Sequence, residues 1–118
     1  MTLNHVHLGT KNLAAAKKFY ETYFGFTKTF DHGAGLFLTD KSGFLLAIDP
    51  VDELPKLPDW YHLGFCLDSA DKVFNIYEKM KLGNETIVRE MKAVENEFAS
   101  FFVKDPDGNK LEVSWHNE

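Results

Sequence analysis

The 118-residue chain writes one pattern twice, and that repetition constrains its fold more than any other feature. In the first half, His5-Val6-His7-Leu8 alternates as a half-buried strand does, and Asn12 then offers a helix N-cap before Leu13. Leu13, Ala16, Tyr20 and Tyr23 recur at helical spacing, and Gly25 sits where a C-terminal cap belongs. Three short strand-like runs follow, around Phe26 to Asp31, Leu36 to Thr39 and Phe44 to Ile48, with Gly33, Gly35 and Gly43 in the turns. The half reads βαβββ.

The second half repeats the order. Tyr61 to Leu67 is predicted as a strand, Asp68 or Ser69 caps a helix whose stripe is Val73, Ile76, Tyr77 and Met80, and Gly83 closes it. Strand-like runs come at Thr86 to Glu90, Phe98 to Lys104 and Lys110 to Trp115. Asp105-Pro106-Asp107-Gly108 joins the last two with the residue order of a type I turn, and Asp40-Lys41-Ser42-Gly43 is its counterpart. The halves are offset by 57 residues from His5 to His62, 58 from Gly25 to Gly83 and 65 from Gly43 to Gly108. Short loop insertions account for that drift. Pro50, Pro55 and Pro58 mark residues 50–59 as a linker between modules 1–49 and 60–118. The expectation is one α+β domain over 1–118, two βαβββ modules in tandem forming a cupped mixed sheet with helices on the outside.

A chain this long buries roughly two-thirds of its unfolded surface, enough for one core and too little for two independent domains. Its 44% apolar and 26% charged residues are those of a globular protein. The net charge of −5, with no basic run, argues against nucleic acid as a partner. Met1 to Thr10 lacks the charged and apolar regions of a leader, and no apolar stretch nears the roughly 20 residues that cross a bilayer, so no membrane role and a cytoplasmic location are expected. Cys66 is the single cysteine, which fits a reducing compartment, and in a strand pattern it reads as a small buried hydrophobe.

Alternation puts Val6 and Leu8 toward the helix and His5 and His7 on the opposite face. By the same rule Leu63, Phe65 and Leu67 leave His62, Gly64 and Cys66 opposite, and Leu111 and Val113 leave Glu112 and Ser114. Three metal-competent side chains, His5, His62 and Glu112, thus fall on the helix-free face. Residue type and spacing leave each open between a metal ligand and a hydrogen-bonded or exposed strand residue.

Asn4-His5-Val6-x-Leu8, Asn12-Leu13-x-x-Ala16-x-x-Phe19-Tyr20 and Phe24-Gly25-Phe26 resemble the opening of the vicinal oxygen chelate superfamily, which includes glyoxalase I, bleomycin-resistance proteins, fosfomycin-resistance enzymes and extradiol dioxygenases. The resemblance continues through His62-Leu63-Gly64-Phe65 and Phe101-Phe102-Val103-x-Asp105-Pro106-Asp107-Gly108-Asn109-x-Leu111-Glu112-Val113, so it covers nearly the whole chain. It implies that His5, His62 and Glu112 ligate one divalent metal ion. Matching the turns puts Ala47, which cannot ligate, where four-ligand members carry another carboxylate. The implied site is then a two-His, one-carboxylate arrangement with open positions, favouring Fe(II) or Mn(II), with Zn(II) or Ni(II) as alternatives. An open metal polarises a chelated pair of oxygens, which implies a lyase, isomerase or dioxygenase acting on a small molecule.

His7 shares the face of His5 and is a candidate general acid or base or substrate donor, its alternative being a solvated or carbonyl-bonded histidine. Phe37, Ala47, Ser100, Phe102 and Ser114 are the candidate lining of a substrate pocket. Most phenylalanines, Phe65, Phe74 and Phe101 among them, are assigned to the core, and His32 and His116 to the surface. Two departures weaken a fosfomycin or extradiol assignment. Phe102 stands ten residues before Glu112, where those enzymes commonly have Tyr, and Trp115 to Glu118 holds no Arg or Lys for a phosphonate. The rival to an enzyme is a metal-free module that sequesters a small molecule; a regulatory or scaffold role has no positive feature. A homodimer is expected, because a module of this kind leaves its ligand-bearing face half enclosed until another module covers it.

Overall fold

In the computed structural model the backbone is described over residues 1–118, and every side chain except those of Thr29 and His32; the surface reading of His32 therefore lies outside the described residues. The chain forms two compact units, Met1–Lys56 and Leu57–Glu118.

The first unit carries β1 (His5–Thr10), α1 (Leu13–Phe24), β2 (Thr27–His32), β3 (Gly35–Thr39) and β4 (Leu45–Pro50) in one sheet of order β1-β4-β3-β2. β1 runs parallel to β4, and the other pairs are antiparallel. The Asn12 side chain accepts from Ala15 N at 3.1 Å, and Gly25 ends the helix at φ 69°, a left-handed conformation that glycine adopts without strain. Ala16, Phe19 and Tyr20 of the helix are buried with Phe26, Leu36, Leu38, Leu46 and Ile48. Each of the large side chains contributes about 1.5–3 kcal/mol by leaving water.

In the second unit β5 (Leu63–Cys66), α2 (Ala70–Leu82), β6 (Thr86–Val94), β7 (Phe98–Lys104) and β8 (Lys110–His116) repeat that topology, with sheet order β5-β8-β7-β6. Ser69, rather than Asp68, caps α2, its side chain accepting from Lys72 N at 3.2 Å. Gly83 keeps φ −82°, and Asn84 takes the left-handed conformation at φ 57°, which Asn tolerates better than most residues. β5 starts at Leu63, two residues later than expected, because Tyr61 N donates to Pro58 O and holds the preceding residues in a turn. Val73, Tyr77 and Met80 are buried against β7 and β8, whereas Phe74, one step off that stripe, is exposed rather than core. Cys66 is likewise exposed, since alternation puts it on the helix-free face.

The repeat is kept in the turns and in the strand registers. Asp40 Oδ1 accepts from Ser42 N and Phe44 N as Asp105 Oδ1 accepts from Asp107 N and Asn109 N, and Gly43 and Gly108 both sit at φ 87°. Phe37 pairs with Ala47 as Phe102 pairs with Glu112, and His7 pairs with Ala47 as Gly64 pairs with Glu112. The turn-matched offset of 65 thus holds from β3 to β7 and from β4 to β8, while β1 and β5 keep the offset of 57. A β-bulge also recurs, placing Phe30 opposite Phe37 and Arg89 opposite Phe102.

Candidate functional site

β8 fixes the central carboxylate. Leu111 and Val113 are fully buried on the helix side, so Glu112 between them projects from the other face. Its neighbours across the sheet are Phe102 on β7 and Gly64 on β5. Gly64 has no side chain, and the space a Cβ would take there is open. The carboxylate therefore meets His62, just before β5: His62 Nε2 and Glu112 Oε1 are 3.5 Å apart, with side chains 35% and 27% exposed. His62 Nδ1 bonds to the Trp60 carbonyl at 3.0 Å. A carbonyl only accepts, so Nδ1 carries the hydrogen and the neutral ring offers its lone pair from Nε2.

Phe102 forms the floor beside this pair. The His62 ring stands edge-on to it at 5.0 Å, and two cations flank it, Arg89 at 4.7 Å and Lys110 at 4.9 Å from its centroid. Ser100, only 4% exposed, donates to Glu112 Oε2 at 2.8 Å and accepts from Arg89 Nη2 at 2.8 Å. Ser114 is also buried.

In the first unit the equivalent positions are apolar. Ala47 stands where Glu112 does, and Phe30 meets Phe37 edge to face at 4.7 Å where Arg89 covers Phe102. His5 Nδ1 bonds to Asn4 Oδ1 at 2.7 Å, which leaves Nε2 with the lone pair. His7 Nε2 bonds to Asp49 Oδ2 at 2.5 Å, with side chains 64% and 33% exposed. His116 is exposed and stacks on Phe98.

The structure therefore brings His62, Glu112, Ser100 and Phe102 together in the second unit, and places His5, His7, Phe37 and Ala47 in the first. Within either unit, among the described residues, no group of three or more His, Cys, Asp or Glu gathers around a common point. Arg89 and Asp49 escaped sequence reasoning. Asp49 was within reach, since it follows Ala47 by two and so shares its face. Arg89 was not: simple alternation from Ile87 would turn it toward the helix, and only the bulge between Ile87 and Arg89 reverses it.

Imidazole nitrogen and carboxylate oxygen are the donor set that accepts Fe(II), Mn(II), Zn(II) or Ni(II). In both His5 and His62 the Nδ1 bond leaves the Nε2 lone pair as the donor, and in His62 that lone pair faces Glu112 Oε1, so the residues present fit such an ion.

Two βαβββ modules with an imidazole–carboxylate pair on the helix-free face of the second define an α+β protein of paired-module type. Residues 2–113 match the Glyoxalase/Bleomycin resistance protein/Dioxygenase superfamily, and the chain belongs to that family. It is similar to a possible glyoxalase from Bacillus cereus, at 29% identity over 96% of this chain and 97% of that one, with a TM-score of 0.81. The genomically encoded fosfomycin resistance protein FosX from Listeria monocytogenes shares the fold at 21% identity, covering 99% of this chain and 94% of that one, with a TM-score of 0.84. A structure of that protein complexed with Mn(II) and sulfate ion matches at 22% identity, 98% and 89% coverage and a TM-score of 0.80. Among the described residues no helix is long and apolar enough to cross a membrane.

Proposed function

We propose that the protein is a divalent-metal-dependent enzyme of the glyoxalase and dioxygenase type, in which His5, His62 and Glu112 hold one metal ion and a small molecule presents vicinal oxygens to it. The observation that carries this reading is the state of the two imidazoles. In His5 and His62 alike, Nδ1 is committed to an oxygen acceptor, which leaves the Nε2 lone pair as the donor, facing Glu112 Oε1 in the case of His62; this is the arrangement that orients a metal-ligating histidine. Glu112 supplies the charge that offsets the cation.

Fe(II) or Mn(II) is the favoured ion, with Zn(II) or Ni(II) as alternatives, and when bound it supplies a Lewis acid that polarises a chelated oxygen. The chain's own residues do the rest. Phe102 excludes water beside the carboxylate, and with Phe37, Ala47, Ser100 and Ser114 it lines the substrate pocket. His7, steadied by Asp49, is the acid, base or hydrogen-bonding group. The same reading takes residues 1–118 as one domain working as a cytoplasmic homodimer.

Metal analysis of protein purified without a nickel column, followed by titration with Mn(II) and Fe(II), tests the proposal. About one ion per chain is expected. No bound and no bindable divalent metal would overturn it, and tight uptake of an apolar small molecule by such metal-free protein would replace it with the sequestering function.

A further inference from the structure

The two oxygens of Glu112 face different partners. Oε1 faces His62 Nε2 at 3.5 Å, while Oε2 accepts the Ser100 hydroxyl at 2.8 Å. That hydroxyl has a single hydrogen, which goes to Glu112, so Ser100 meets Arg89 as an acceptor, from Nη2 at 2.8 Å. Arg89 Nη1 donates further to the carbonyls of Ser100 and Glu90, each at 3.3 Å. The guanidinium also lies over the Phe102 ring, with Cζ 4.7 Å from its centroid. It is thus held both by the ring and by hydrogen bonds to β6 and β7. Ser100 is 4% exposed, so little water competes for its hydroxyl.

We infer that Arg89, acting through Ser100, is a positioning residue that holds Glu112 with Oε2 engaged and Oε1 alone offered to the metal. The inference rests on the metal site proposed above. A free carboxylate can turn about its last torsion and take two coordination positions. One whose second oxygen is engaged takes one, which keeps positions open for the two oxygens of a substrate. An outer partner that orients a ligand in this way is worth about 10- to 100-fold in metal affinity.

The test is a Mn(II) titration of the full chain followed by electron paramagnetic resonance. Ser100→Ala and Arg89→Met should each weaken Mn(II) binding about 10- to 100-fold. Methionine still covers Phe102, so its loss isolates the donor, and Arg89→Lys, which keeps a charged donor, should recover most of the affinity. In the Ser100→Ala background Arg89→Met should cost nothing more, because two residues on one path do not add. Additive losses would show that Arg89 acts on its own and would overturn the inference, as would failure of lysine to rescue. Should Ser100→Ala not fold, the methionine and lysine variants carry the test alone. Wild-type affinity in the Arg89 and Ser100 variants, with binding abolished in Glu112→Ala, would overturn this inference and leave the metal site standing. Equal binding by wild type and Glu112→Ala, or none by either, would overturn both.

Discussion

His5, His62 and Glu112 sit on strand ends and faces where they add little to either apolar core, so their removal should separate metal binding from folding. Each alanine variant is expected to lose Mn(II) affinity by more than the roughly 100-fold typical of an outer partner while its thermal melt without metal stays near wild type. Glu112→Gln keeps the shape and the Ser100 contact but removes the charge, so binding should weaken without vanishing. Unchanged stoichiometry in all four variants, measured by metal analysis after dialysis, would remove these residues from the site. Gly35 poses a different question. A Cβ there would lie 2.1 Å from Asp49 Oδ1 and 2.4 Å from the Ile48 carbonyl, the latter being backbone that cannot swing away. Gly35→Ala should therefore cost about 1–3 kcal/mol in urea unfolding and dislodge Asp49 from His7. Full stability in that variant would show that β3 and β4 shift apart with ease.

At the scale of elements, what the sequence displayed was what short-range chemistry decides. Asn12 and Ser69 cap helices because their side chains satisfy backbone N–H groups three residues on, and Asp40 and Asp105 close turns in the same local way. The face occupied by Glu112 followed from alternation along β8. The Arg89 contact did not, because a bulge is a disagreement between two strands and leaves no mark in either alone: Ile87-Val88-Arg89 holds no glycine to announce it. The start of β5 was missed for a related reason, since the Pro58–Tyr61 turn competes with a strand-like run for the same residues. Register supplies the third prediction. Ala47 pairs with His7 and Phe37 just as Glu112 pairs with Gly64 and Phe102, so Ala47→Glu sets a carboxylate at the matching point of the first sheet. Metal binding should tighten and one open coordination position should close, at some loss of stability because Ala47 is only 8% exposed. If affinity and the Mn(II) resonance spectrum stay as in wild type, β4 holds another register in solution, since a slip of one residue turns the side chain to the opposite face.

For the whole molecule, the division of labour between units decides which experiment is sharpest. Each unit has its own buried core, and the three proposed ligands are split between them, His5 in Met1–Lys56 and His62 with Glu112 in Leu57–Glu118. An ion bound only by the folded protein stabilises it by about 2.7 kcal/mol at a hundred times its dissociation constant, so metal should raise the melting temperature and a chelator should reverse the gain. The proposed homodimer adds a question of which chain supplies His5. Sedimentation at micromolar concentration should give twice the 13.5 kDa of one chain, and a monomer mass would refute the dimer. His5→Ala and Glu112→Ala chains are each expected to bind metal poorly when pure, yet each keeps what the other lacks. If ligands are shared across a two-fold axis, one of the two sites in a mixed dimer receives both substitutions and the other receives neither. Mixing the variants under conditions of subunit exchange should then restore about one intact site per heterodimer. Equal mixtures exchanging at random are half heterodimer, so about a quarter of the wild-type metal content should return. No recovery after proven exchange would assign all three ligands to one chain, because every site would then carry one of the two defects.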